Sequence, residues 1–161
     1  MHTIFEGKHI FVRERDGWEY VERKSAKEAV AVIAATDADE LVLTEQYRRA
    51  VDANVIDWVA GLLDSSKDVE TIARQELEEE AGFACTAIER IAKGPSSPGI
   101  TSEIVHIVRA AGLRRIGEGG GVGGEKITVH LVPRREIVEW LRRKEEAGAL
   151  VDLKVRLYLT T

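Results

Sequence analysis

Cysteine occurs once, at Cys85, which excludes an intramolecular disulfide and a thiolate metal cluster and suits a reducing compartment. Long apolar runs are also missing. The longest small apolar stretch, Ala29 to Ala35, is too short to span a bilayer, and the N-terminus MHTIFEGKHIFV lacks a charged leader followed by an uninterrupted apolar core. The expectation is a cytoplasmic protein with no membrane segment. Nor is there a basic excess: the net charge of −5 argues against a nucleic-acid polymer as partner, although a small phosphorylated ligand needs only a local basic patch.

The chain has 161 residues, 44% hydrophobic and 32% charged, which describes one ordinary globular domain with enough material for a core. Alternating patterns predict strands at 8–15 and 18–23, joined across Asp16-Gly17 as an antiparallel β-hairpin, then at 29–35, 40–46 and 55–59. Further strands are expected at 86–91, 103–110 and 127–132, and a helix at 135–147, after Pro133 and before Gly148. Strands followed by scattered helices indicate an α+β sandwich, a mixed sheet covered by helices on both sides.

Between Gly61 and Phe83 the chain reads GLLDSSKDVETIARQELEEEAGF, with Glu76, Glu78, Glu79 and Glu80 crowded at its end. Val69, Ala73, Leu77 and Ala81 recur every four residues as an apolar stripe, Asp68 suits the N-cap, Glu70 the first turn, and Gly82 a left-handed stop. In such a helix Glu76, Glu79 and Glu80 share an arc of roughly 100° beside the buried stripe, while Glu78 points to solvent. Like charges on one face cost roughly 0.2–0.5 kcal/mol per pair, a penalty that a hard divalent cation among them removes. Mg²⁺ is the candidate, with Mn²⁺ as its substitute; the alternative is a solvated acidic surface.

This segment resembles the Nudix box, G-x5-E-x7-R-E-U-x-E-E-x-G-U, where U is a bulky aliphatic residue. Gly61, Glu76, Leu77, Glu79, Glu80, Gly82 and Phe83 occupy their places. Two positions depart: Lys67 stands where glutamate is usual and Gln75 where arginine is usual. In the family that pair braces the loop and the helix. Lys67 at this position either repels a metal or contacts the substrate's phosphate, and a solvated loop lysine is the third option.

Outside the box the resemblance extends to the ADP-ribose pyrophosphatases and their nucleotide-sugar relatives, through Glu45-Gln46-Tyr47-Arg48, Asp57-Trp58-Val59-Ala60-Gly61, Ser97-Pro98-Gly99-Ile100-Thr101-Ser102-Glu103 and Glu125-Lys126-Ile127. It implies a single Nudix domain over 1–161, an α/β/α sandwich with a mixed β-sheet. It also implies that residues 1–26, the N-terminal hairpin, take part in a homodimer, with Trp18 at the interface. It further implies Mg²⁺-dependent hydrolysis of a nucleoside diphosphate sugar, ADP-ribose first, to a nucleoside monophosphate and a sugar phosphate. Metal ligands would be Glu76, Glu80, Glu79 and the Ala60 carbonyl. Glu125 matches the general base, with Glu103 its competitor, and Arg48 and Lys67 would contact substrate. The resemblance favours helix over strand for 150–159, where the residues allow both. The alternatives are a silent nucleotide-binding module, suggested by Lys67 and Gln75, or a Nudix hydrolase of GDP-mannose or a nucleoside triphosphate.

Gly119, Gly121 and Gly124 formally fit G-x-G-x-x-G, but a strand is expected next where a dinucleotide fold needs a helix. Six glycines between Gly117 and Gly124 instead predict a mobile loop beside Glu125. His106 and His130 lie on strand patterns and receive no role. Trp58 reads as a core residue.

Overall fold

A computed structural model describes residues 1–63 and 67–160. Positions 64–66, inside the box segment, lie outside the described residues. Strands β1 (His2–Glu6), β2 (Ile10–Arg15) and β3 (Trp18–Arg23) form an antiparallel sheet in that order. The β2–β3 hairpin is the predicted one, turning on Asp16 and Gly17 at φ 54° and 81°, the mirror-image turn that matches strand twist. Strand β1 is an addition to the predicted hairpin. Four of its five residues are exposed, so it carries no alternation between buried and open faces for pattern to detect.

The centre is built from β4 (Glu28–Ala34), β5 (Glu40–Arg48), β6 (Ala53–Asp57) and β7 (Val59–Leu63), followed by helix α1 (Val69–Ala81). Then come β8 (Phe83–Ala84), β9 (Ala87–Pro95), β10 (Ile104–Ala111), β11 (Arg114–Arg115) and β12 (Ile127–Pro133). A 3₁₀ turn at Arg134–Glu136 leads into α2 (Ile137–Glu146), and β13 (Leu150–Val151) and α3 (Leu153–Tyr158) close the chain. Two four-stranded sheets result, ordered β7-β4-β10-β9 and β12-β5-β6-β13, and β8 pairs with β11. Both larger sheets are mixed, since β10 runs parallel to β4 and β13 parallel to β6.

Strand β4 explains the layering. Val30, Val32 and Ala34 pack on one side with Ile72, Ala73 and Leu77 of α1, while Ala31 and Ile33 pack on the other with Trp58, Leu141 and Val155. A strand buried on both faces reads as the unbroken apolar run seen at 29–35. Leu77 and Leu141, both fully buried, each stabilise their helix by roughly 2 kcal/mol. The α/β/α sandwich is therefore present, with α1 on one side and α2 and α3 on the other.

Three of the expected elements differ in kind from what forms. The single strand expected at 55–59 is two strands in different sheets, parted at Trp58, whose N–H donates to Asp57 Oδ1 at 2.8 Å. The helix expected from 135 begins as a 3₁₀ turn and becomes α-helical at Ile137. Residues 150–159 divide into a two-residue strand and a helix capped by Asp152, so both patterns read there have a physical basis. Trp58 is a core residue, edge-on to Tyr158 at 5.2 Å. Among the described residues no helix is long and apolar enough to cross a membrane.

Candidate active site

Helix α1 starts where Asp68 accepts from the N–H groups of Glu70 and Thr71, both at 2.9 Å, and stops at Gly82 with φ 73°. Its buried stripe lies against β7 and β4, so the residues beside that stripe face the backbone of β7. Glu80 is buried and accepts from the Ala60 N–H at 3.0 Å. Glu76 lies against Gly61 so closely that a Cβ there would sit 2.1 Å from Glu76 Oε1. The first glycine of the box is thus the space in which this carboxylate rests.

Burial is the main force on both carboxyls. It pushes Glu76 up to about 7, with Glu79 and Glu125 adding like charge and Lys67 opposing. Glu80 also rises to about 7, driven by burial and the charges of Glu76 and Glu125, and opposed by the Ala60 N–H and by Arg48. Two carboxyls held this far above their ordinary range in one site are groups that an added cation would ionise.

A cleft of about 790 Å³ gathers Glu76, Glu80, Glu103, Glu125, Arg23 and Arg48, with Ala60 and Gly61 in its wall. Most of the predicted site residues are therefore brought together. Glu79 and Lys67 are placed differently. Glu79 Oε1 accepts from Gln75 Nε2 at 2.9 Å, and Lys67 Nζ donates to Gln75 Oε1 at 2.6 Å. Lys67 is outside the cleft lining and bridges the loop to the helix. As the side chains stand, no three His, Cys, Asp or Glu among the described residues converge to hold a metal ion. Glu76 and Glu80 are the pair available in the cleft, while Glu79 is engaged by Gln75.

Glu103 is engaged on both oxygens, by Arg23 Nε at 2.7 Å and Ser96 Oγ at 3.3 Å. Among the described residues, the Glu125 side chain accepts only from the Val122 N–H, at 3.4 Å. Arg23 and the group Asp57, Asp152 and Lys154 also border the cleft, and sequence reasoning missed them in this role. Lys154 Nζ lies 3.1 Å from Asp57 Oδ2 and 2.7 Å from Asp152 Oδ1, tying α3 to the strand that leads into the box. The charge of Lys154 opposes the rise that burial imposes on Asp57.

The residues left without a role are accounted for structurally. His106 bonds Glu28 at 2.7 Å, and His130 bonds Glu45 at 2.8 Å, where Lys144 also lands. Strand β12 follows the glycine run, so no helix N-terminus is available for a dinucleotide phosphate. The run itself is not uniformly free, as its composition suggested: Gly120 and Gly121 donate to Glu80 O and Glu79 O at 2.8 and 3.0 Å.

Residues 26–153 match the NUDIX domain family model. The methanol dehydrogenase activator of Bacillus methanolicus is 39% identical over 87 residues, 54% of this chain and 47% of that protein. This chain thus spans about half the length of that relative. The ADP-ribose pyrophosphatase of Escherichia coli strain K12 is 33% identical over 169 aligned residues, covering 95% of this chain and 76% of that protein. The crystal structure of an ADP compounds hydrolase superposes with a TM-score of 0.69 at 23% identity, over 86% of this chain and 80% of the other, and so shares the fold. With the box residues gathered where β7 meets α1, and a domain match over most of its length, the chain belongs to the NUDIX family.

Proposed function

We propose that this protein hydrolyses the pyrophosphate bond of a nucleoside diphosphate sugar, ADP-ribose first among them, releasing a nucleoside monophosphate and a sugar phosphate. One observation carries the reading: Glu76 and Glu80, both raised to about 7, share a cleft with Arg48 and with a second carboxylate pair, Glu103 and Glu125. The relative named an ADP-ribose pyrophosphatase supports the substrate class.

The donor set fits a divalent cation of the Mg²⁺ or Mn²⁺ kind, because the Glu76 and Glu80 carboxyls are oxygen donors whose like charges have no basic hydrogen-bond partner among the described residues. When bound, such a cation offsets phosphate charge and lowers the pKa of a water it holds, which eases transfer of that proton to a carboxylate base. Glu76, Glu80 and the Ala60 carbonyl would hold it, with Glu79 completing the set after leaving Gln75. Arg48 would bind phosphate or ribose oxygens through its planar fork. Glu125 takes the proton of the attacking water, because its carboxylate is less engaged than that of Glu103. Glu103, held by Arg23 and Ser96, orients water or a ribose hydroxyl.

The proposal extends to a cytoplasmic homodimer. Residues 1–26 expose Phe5 and Trp18 at 58% and 62%, large apolar side chains that a second copy would cover. The substrate assignment is tested by a panel of ADP-ribose, GDP-mannose and nucleoside triphosphates with Mg²⁺. ADP-ribose is expected to give the highest kcat/KM and to yield AMP. Tight binding of these compounds without turnover of any would establish a silent binding module in its place.

A further inference from the structure

The last carbonyls of an α-helix have no partner within it. In α1 two of these, on Glu79 and Glu80, accept from the backbone of the glycine run, through Gly121 N at 3.0 Å and Gly120 N at 2.8 Å. Just before them, the N–H groups of Ile116 and Gly117 both donate to Gly82 O, at 2.8 and 3.1 Å. The approach is too close for side chains. A Cβ on Gly82 would sit 2.3 Å from Gly117 O, and one on Gly119 would sit 2.4 Å from Glu80 O. A Cβ on Gly121 would sit 2.7 Å from Glu125 Oε2, and all three of these glycines have positive φ. Gly123 differs: its φ is also positive, at 63°, yet nothing lies within 4 Å of the added atom.

Glu125 hangs from this segment by a short turn, its N–H donating to Val122 O at 3.2 Å. The turn is rooted at Gly121, which is bonded to the residue next to Glu80. We propose that residues 117–121 are a strap that sets the position of Glu125 relative to Glu76 and Glu80, and that Gly119 and Gly121 are positioning residues for the reaction. The catalytic consequence rests on the hydrolysis proposed above, whereas the strap and its hold on Glu125 do not.

The test is a double-mutant cycle between Gly119→Ala and Glu125→Gln, read both as the Kd of Mn²⁺ and as kcat with ADP-ribose, with Gly123→Ala as the matched control for positive φ. Gly119→Ala is expected to lower kcat by about 10²-fold, the scale of an ångström-sized misplacement, with KM within about threefold, and to weaken Mn²⁺ several-fold. In the Glu125→Gln background the same change should add less than about twofold to either quantity. Gly123→Ala should stay within about threefold of the native protein, as its added atom meets nothing. Amide exchange tests the strap without any variant: in the native protein the Gly120 and Gly121 N–H groups should exchange far more slowly than that of Gly123. Multiplicative effects in the cycle, equal losses from Gly119→Ala and Gly123→Ala, or unprotected Gly120 and Gly121 amides would overturn the strap. Absence of turnover in the native protein would instead overturn the hydrolysis, and the Mn²⁺ cycle would still decide the strap.

Discussion

Glu76 and Glu80 are the residues on which the proposed chemistry turns, and their burial gives them a signature in pH. Each has its folded value raised from 4.5 to about 7, so between those values the folded protein holds protons that the unfolded chain releases. Their contribution to stability is complete below about 4.5 and lost as pH rises through about 7. A cation bound by the ionised pair works in the opposite direction, since it competes with those protons. The melting temperature gained on adding millimolar Mg²⁺ should therefore be several degrees at pH 8 and near zero at pH 5. A gain independent of pH would place the ion elsewhere. Gly61 belongs to the same account: Gly61→Ala should displace the Glu76 carboxylate and reduce the pH 8 gain, because the added atom and Oε1 cannot share that space.

At the scale of the elements, α1 was legible because its causes are local. The Asp68 cap, the stripe at four-residue spacing and the stop at Gly82 all lie within a few residues of one another, and each is present in the structure. The departures at Lys67 and Gln75 were legible as departures, but their outcome was not. Whether a lysine eight residues from a glutamine repels a metal or bonds the amide depends on side-chain direction, which periodicity does not encode. The structure shows a loop-to-helix bridge passing from Lys67 through Gln75 to Glu79. Lys67→Glu with Gln75→Arg should then leave kcat/KM within about threefold, since one exposed bridge replaces another of similar strength. Gln75→Ala breaks the bridge and should lower kcat/KM by roughly two- to fivefold. A large gain in the double variant would show that the native pair impairs the site.

Across the whole molecule, what escaped the sequence is what joins distant positions. Arg23 and Glu103 are 80 residues apart, and Lys154 reaches back to Asp57; neither pair has a spacing that pattern could register. The glycine run shows the same limit. Its composition indicated freedom, while its contacts with the end of α1 come from the fold. The α+β class was available beforehand, and the resemblance of the box and its companion segments pointed to Glu76, Glu80, Arg48, Glu103 and Glu125, which the structure lines along one cleft. The central claim is that this cleft performs metal-dependent hydrolysis, and its most direct measurement is AMP release from ADP-ribose by the native protein and by Glu80→Gln, each with Mg²⁺ and with EDTA. The account predicts turnover in the native protein that EDTA abolishes and that Glu80→Gln lowers by at least about 10²-fold. Undiminished turnover in Glu80→Gln, or turnover indifferent to EDTA, would contradict it.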